Sequence, residues 1–321
     1  MQPIDPLHGV RVGERWVLRV RLADGSATDR IGWVDAVDAD GLRLGLADGS
    51  SVPVERTAVV AARRAPAAMG GPPPHRVDAV ELERRALFGW LAEHEPLGAW
   101  TLRAAGGFTG RANSAHAVGD PGLPLTEAAA AVVAYAARHG ITPLAQVIAG
   151  SAEEAGLRSL GWTDTYVPTD VLALRLVELL GDQPVDPQVR VTETLSAGWW
   201  DAYQLSRPNS ADPDILRAIL DGNPPRGFGA VGDPDRLVAI GRGHVSGDWL
   251  GLASIWTADQ HRRRGWATKI MIGLGHWAAR RGARYVYLQV ASANTPALAA
   301  YARLGFTHHH SYLYLAPPGS T

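Results

Sequence analysis

The sequence predicts a mixed α/β fold in which one helix–strand–helix–strand unit is used twice behind a small all-β module. Three observations predict it. Between Arg15 and Ala62, short alternating segments are separated by Asp24-Gly25, Asp40-Gly41 and Asp48-Gly49, dipeptides that close tight turns between antiparallel strands. From Asp78 onward, helical and strand periodicities alternate. Finally, Ala137-Arg138-His139-Gly140, Leu144-Ala145-Gln146-Val147 and Leu160-Gly161-Trp162 are paralleled by Ala279-Arg280-Arg281-Gly282, Tyr287-Leu288-Gln289-Val290 and Leu304-Gly305-Phe306. Each glycine-to-glutamine-to-glycine interval differs by one residue between the two strings, the mark of an internal repeat.

The first module is read from WVLRVRL, IGWVDAV, LRLGLA, SVPV and TAVVAA, whose spacing is similar to that of a five-stranded barrel of the Src-homology type, assigned to residues 1–66. The stretch RRAPAAMGGPPPH from Arg63 to His75 sustains neither helix nor strand interior, which places a linker at 67–77. Residues 78–182 form the first copy of the repeat and 183–321 the second. In the second copy a strand is expected at Val189–Thr194, helices at Ser196–Leu205 and Asp212–Leu220, and a meander at Gly227–Val231, Leu237–Val245 and Trp249–Thr257. A long helix from Gly265 to Arg281 follows, then a strand at Arg284–Ala291, a helix at Asn294–Leu304 and two short strands. The Trp199-Trp200 pair falls on the first of these helices; Trp200 reads as core, and Trp199 or the neighbouring Tyr203 reads as core or as lining of the acceptor entrance.

Composition narrows the function. A chain of 321 residues with 46% hydrophobic content has core enough for two or three domains. A net charge of −1 argues against a dedicated nucleic-acid binder. Arg15, Trp16, Arg19, Arg21, Arg30 and Trp33 supply part of a basic aromatic face, but Asp24, Asp29, Asp35 and Asp38 dilute it. The absence of cysteine excludes a disulfide framework, a thiol nucleophile and cysteine-ligated zinc. The stretch MQPIDPLHGV lacks the basic start and apolar core of a signal peptide, and no apolar run reaches the ~20 residues a membrane span needs. The expected address is the cytoplasm, with no membrane partner.

The chemistry concentrates near the end of the chain. Arg262-Arg263-Arg264-Gly265-Trp266-Ala267 lies between a strand-like run and a helix-like run. A helix N-terminus presents unpaired N–H groups, and Gly265 and Ala267 leave room for an anion to reach them. Asn294 is a natural helix N-cap. Tyr301, seven residues on, lies on roughly the same helix face.

With these features in this order the chain resembles the GNAT superfamily of acyl-CoA-dependent acyltransferases, in an arrangement similar to actinobacterial tandem members described as N-acetylglutamate-synthase-like or histone-acetyltransferase-like. The resemblance implies acetyl-CoA as co-substrate, with Ile255, Trp256 and Thr257 beside the acetyl group and pantetheine. It implies Arg262, Arg263, Arg264, Gly265, Trp266, Ala267 and Thr268 around the diphosphate, Asn294 at the pantetheine, and Tyr301 as general acid for the leaving thiolate. One position departs from the family: several members carry a glutamate base five residues before the asparagine, where this chain has Gln289. Glu193, Asp201, Asp248, His244 and a water chain are the alternatives. In the first copy Gly122-Leu123-Pro124-Leu125-Thr126-Glu127 takes the place of the cradle and nothing aligns with Tyr301, so that copy is read as degenerate, completing the fold or walling the cleft of the second.

Two further strings carry alternatives. Gly106–Ser114 (GGFTGRANS) is either a hairpin turn or a source of substrate contacts from Arg111 and Asn113 across the repeat interface. In His308-His309-His310 only His308 and His310 share a strand face; no third ligand is evident, so a strand lip or plain surface is expected and no metal. The expected activity is acetyl transfer to a primary amine, either an amino acid such as glutamate or a protein lysine, by direct attack in a ternary complex. The alternative is a non-catalytic acyl-CoA-binding module whose barrel recruits a partner.

Overall fold

The structure is a computed structural model and describes residues 5–46, 50–207 and 212–319; the predicted Asp48-Gly49 turn lies outside them. Strands β1 (Arg15–Arg21), β2 (Ala27–Val37), β3 (Gly41–Gly45), β4 (Ser51–Glu55) and β5 (Val59–Arg64) form an antiparallel sheet in the order β4-β3-β2-β1-β5, compatible with a small barrel. Leu18 and Val20 of β1 join Val34, Leu44 and Val54 in a core of their own while Arg19 and Arg21 stay exposed. That is the period-two pattern of a half-buried strand.

All remaining strands belong to one sheet. The first copy supplies α1 (Ala79–Leu87), β6 (Glu93–Leu97), β7 (Trp100–Ala104), β8 (Ala115–His116), α2 (Leu125–Arg138), β9 (Ala145–Ile148), α3 (Ala152–Ser159), β10 (Thr163–Asp164), β11 (Thr169–Arg175) and α4 (Leu176–Leu180). The second supplies β12 (Arg190–Thr192), α5 (Ala197–Ser206), α6 (Pro213–Asp221), β13 (Arg226–Asp233), β14 (Arg236–Ser246), β15 (Trp249–Thr257), α7 (Trp266–Ala279), β16 (Tyr285–Ala291), α8 (Thr295–Arg303) and β17 (Thr307–Ala316). The order across the sheet is β12-β13-β14-β15-β16-β11-β17-β9-β8-β7-β6, with β10 on the end of β17.

This order joins the two copies in one sheet, because the last strands are exchanged. β11 leaves its own copy to lie antiparallel between β16 and β17 (Leu172↔Leu288, Leu172↔His308). β17 in turn pairs with β9 (Leu313↔Val147) and β10 (Asp164↔Leu315). Where two short strands were expected after Asn294–Leu304 there is one ten-residue strand, and the strand it lacks as a neighbour comes from the first copy. The continuous buried run Val171–Leu174 is what a strand covered on both faces requires.

Helix α7 packs across β13, β14 and β15, and glycines on those strands let it approach. A Cβ added at Gly241 would stand 2.5 Å from Ile270 Cγ2, and one at Gly229 would stand 3.2 Å from the same atom. The predicted linker is also packed. β5 runs on to Arg64, Ala68 is 2% exposed in the core of the second copy, and Arg284 donates to the Gly70 carbonyl at 2.7 and 3.1 Å. The barrel meets the end of α7 through Trp33, with the Arg280 guanidinium 4.8 Å over its ring and Arg280 Nη1 3.5 Å from Asp35 Oδ1.

Candidate active site

The site begins where two parallel strands part. β15 and β16 stay in register only from Trp249↔Tyr285 to Leu252↔Leu288, yet both continue, to Thr257 and Ala291. A bulge drives them apart: the register between β14 and β15 shifts at Ile240/Arg242, and Ser254 takes φ +54°, a left-handed conformation that costs a non-glycine residue energy. Beyond Leu252 the β15 edge facing β16 is free of strand pairing, so its backbone groups are open to a ligand that pairs as an added strand. Ser254 Oγ is buried there with no partner.

The cleft between these strands holds about 450 Å³. Of the residues singled out from the sequence, it brings together Ile255, Asn294, Tyr301 and Arg111. Trp256, its neighbour on the alternating strand, points the other way into the cluster of Trp199, Trp200 and Tyr203, and Thr257 pairs with Ala239 beyond the cleft lining. Asn294 caps α8 as expected, its Oδ1 accepting from Ala297 N at 3.3 Å. That cap fixes the helix that carries Tyr301 into the cleft. Burial raises the Tyr301 pKa, opposed by the charge of Arg207, so the phenol holds its proton at neutral pH.

The Arg262–Thr268 turn follows β15 but does not line this cleft. Gly265 precedes α7 with φ +77°, and a side chain there would meet nothing within 4 Å, so the glycine serves backbone conformation and leaves open space over the helix end. The first α7 hydrogen bond to Gly265 O comes from Lys269 N, and Arg262 N donates to Asp259 O, leaving the amides between them for an anion. Arg263 is also left-handed, at φ +60°, and Arg262 is tied to Asp259 at 2.7 Å.

Arg111 reaches the cleft from the first copy and donates to Gln289 Oε1 at 3.4 Å across the repeat interface. Asn113 does not. It is 4% exposed, its Oδ1 accepts from Ala105 N and Gly107 N, and its Nδ2 donates to Ala105 O and Thr109 O. With all four bonds made inside its own loop, Asn113 shapes the turn that presents Arg111 and has nothing left for a ligand. The tryptophans Trp199 and Trp200 are 1% and 4% exposed, as core residues should be.

None of the four candidate bases lines the cleft. Glu193 accepts from Trp277 Nε1 and Arg281, and Asp201 is exposed on α5. Asp248 lies in the turn at the opposite end of β15, its carbonyl accepting from Arg284 and Tyr285. His244 is buried, and desolvation with the nearby Arg242 charge pushes its pKa down to about 4.

Sequence reasoning missed Ser254, Thr169, Arg207, Tyr312 and Tyr314, which also line the cleft. Only the last two had a usable signal, since Tyr-x-Tyr on a strand puts both rings on one face. Of the three histidines, His308 is exposed on the strand as expected, but His310 is not. His310 is buried at 8%, not a surface lip, and meets Glu83 Oε1 at 3.0 Å. Glu83 of α1 also meets His116 Nε2 at 3.3 Å and accepts from Gln146 Nε2 at 2.8 Å, and Gln146 Oε1 accepts from Arg103 at 2.8 Å. Burial alone would raise the Glu83 pKa, but hydrogen bonds from His116 and His310, helped by their charge, hold it down to about 2. This cluster ties α1, β8 and β9 to the exchanged strand β17.

The comparisons with known proteins agree with the geometry. Residues 78–315 match the family described as "Probable histone acetyltransferase Rv0428c C-terminal". An uncharacterized N-acetyltransferase of Bacillus subtilis, YobR, is 26% identical over 73% of this chain and 98% of its own length. Streptothricin acetyltransferase of Streptomyces lavendulae is 32% identical over 33% of the chain and 64% of its own. Among solved structures, a GCN5-related N-acetyltransferase from Kribbella flavida superposes with a TM-score of 0.54 at 18% identity, covering 76% of this chain and 97% of that one, and so shares its fold. No helix among the described residues is long and apolar enough to cross a membrane. The chain belongs to the family of the Rv0428c C-terminal region and is an N-acetyltransferase of the GNAT class.

Proposed function

We propose that the protein transfers the acetyl group of acetyl-CoA to a primary amine by direct attack in a ternary complex. The observation that carries this reading is the parting of β15 and β16 after Leu252↔Leu288 with Tyr301 facing the gap. The residues fit such a co-substrate. The free edge at Ala253–Thr257 offers backbone partners to the pantetheine amides and to the thioester oxygen, Ser254 Oγ is an orphaned donor on the same edge, and the Arg262–Thr268 turn offers open amides and arginine charge to the diphosphate. Asn294 would hold α8 and meet the pantetheine. Binding both reactants in line removes most of the entropic cost of their encounter. The amine nitrogen then bonds to the acetyl carbon, negative charge on the carbonyl oxygen is met by N–H groups of β15, the C–S bond breaks, and Tyr301 gives its proton to the thiolate. No carboxylate lines the cleft among the described residues, so the amine sheds its proton to water rather than to a glutamate at the Gln289 position.

The acceptor classes are an amino acid such as glutamate and a protein lysine; the names of relatives extend these to histones and to streptothricin. Thiol release from acetyl-CoA, followed with amino acids, polyamines and lysine peptides, tests the reading, and amine-dependent release is the expected result. The neutral Gln289 favours one other reading, a non-catalytic acyl-CoA-binding module that recruits a partner through its barrel. Tight acetyl-CoA binding with no release under any acceptor would support that module instead.

A further inference from the structure

The wall of the cleft supplied by the first copy carries a half-buried guanidinium with no carboxylate partner among the described residues. The Arg111 guanidinium lies 4.4 Å over the Trp90 ring, is hydrogen-bonded by neutral groups alone, the Gln289 amide at 3.4 Å and the Tyr312 phenol, and leaves Nε buried with no partner. Among the described residues no carboxylate pairs with Arg111, and no aspartate or glutamate lines the cleft. Guanidinium groups stay charged in proteins, and the tyrosines around Arg111 favour that charge over its desolvation without supplying a counter-ion.

The position of this cation matters as much as its isolation. Gln289, which Arg111 holds, is the first β16 residue past the last pair, Leu252↔Leu288, so the guanidinium stands beside the point where the strands open. A ligand anion there would lie close to the acyl carbonyl held on the β15 edge. The loop that delivers Arg111 is rigid: Asn113 and Ser114 tie it internally, the latter through Oγ to Gly110 O at 2.6 Å, and a Cβ at Gly110 would be 2.7 Å from the Tyr314 ring. A protein lysine would bring an ammonium group and no anion toward the Arg111 guanidinium, a repulsive arrangement at this range.

We infer that the acceptor is a free amino acid whose carboxylate is received by Arg111 while its amine faces the thioester. This inference rests on the acetyl-transfer reading of the cleft and chooses between its two acceptor classes. Arg111 is then a specificity residue supplied by the degenerate copy to the active one.

The test compares each free amino acid with its carboxamide and with the corresponding decarboxylated amine, alongside lysine peptides, in the wild-type protein and in Arg111→Ala and Arg111→Lys. Calorimetry with acetyl-CoA is run on all three. In the wild type, the best amino acid is expected to exceed its carboxamide in kcat/KM by about 10- to 100-fold, the worth of a charge-assisted hydrogen bond. Arg111→Ala should raise KM for the amino acid by a similar factor and abolish the preference for the acid over the amide. Arg111→Lys should restore part of it, and acetyl-CoA affinity should hold in both. Equal turnover of acid and amide by the wild type, or better turnover of lysine peptides, would overturn the carboxylate role while leaving acetyl transfer standing. Coenzyme binding with no turnover of any amine would overturn the transfer reading itself, and this inference with it.

Discussion

The two copies of the repeat differ at the strand pair that opens in one and stays shut in the other. In the second copy, β15 and β16 part after Leu252↔Leu288 and Tyr301 faces the gap. In the first, the parallel pair β8 and β9 (Ala115↔Ala145, His116↔Gln146) ends with Ala117 N donating to Gln146 O at 2.9 Å. Glu153 of α3 then reaches over and accepts from Gly119 N at 2.9 Å. The residue four places before Gly161 is Leu157, fully buried, where the one four places before Gly305 is Tyr301. The start of α2 is filled as well: Leu125 packs so closely on α3 that a Cβ at Gly156 would stand 2.3 Å from its Cδ2, and its first turn carries Glu127. An acidic first turn disfavours a second anion at that helix end. The first copy thus keeps the fold while a few residues fill the place of the cleft, and its exchanged strand completes the sheet of the other copy.

The largest expected effect tests whether the copies are unequal in chemistry yet joint in folding. Removing β17 by ending the chain after Phe306 should abolish cooperative unfolding in both copies, because Leu313 and Leu315 belong to the first copy's core. A folded first copy in the truncated chain, seen by circular dichroism and thermal melting, would break the comparison. Within the intact chain, Leu315→Ala should cost about 2–5 kcal/mol in denaturant unfolding.

Next in size is the chemistry of the open cleft. Tyr301→Phe should lower kcat by about 10²- to 10⁴-fold, the usual worth of a general acid, with acetyl-CoA affinity retained. Wild-type kcat in that variant would remove Tyr301 from the proton transfer.

Acid should loosen the two halves in separate windows. His244 is neutral in the fold with its pKa pushed down to about 4, whereas the unfolded chain binds its proton below its ordinary value of about 6.5. Stability linked to His244 is thus complete above pH 6.5 and falls as pH drops toward 4. For Glu83, depressed to about 2, the contribution is complete above about pH 4.5 and is lost as pH falls from there toward 2. Denaturant titrations of His244→Gln and Glu83→Gln should flatten the profile in the first and second window respectively. A wild-type slope in both variants would contradict these assignments.

The smallest effect belongs to the barrel. Asp35→Asn removes a part-exposed pair with Arg280 and should change stability by less than about 1 kcal/mol, leaving acetyl transfer unaltered.

Much of the fold was legible in the sequence because it is written locally. The Asp24-Gly25 and Asp40-Gly41 turns, the Asn294 cap and the periodicity of α7 each depend on neighbours a few residues away. The strand exchange was not legible, since Val171–Leu174 states that it is buried on both faces but not by which strands. Around the cleft, the placement of Tyr301 on the Asn294-capped helix and of Gly265 at the start of α7 was legible because each depends on a few neighbouring residues. Ser254 was not, because its meaning comes from a bulge set by pairing with β14, and Glu83 was not, because its partners lie 33, 63 and 227 residues away.

The central claim is one acyl-CoA site per chain, located in the second copy. Titration calorimetry with acetyl-CoA measures it most directly. One molecule bound per wild-type chain is predicted, with binding lost or sharply weakened in Gly265→Val, whose β-branched side chain opposes the left-handed backbone of the cradle. Two molecules per chain, or one retained at full affinity in Gly265→Val, would contradict it.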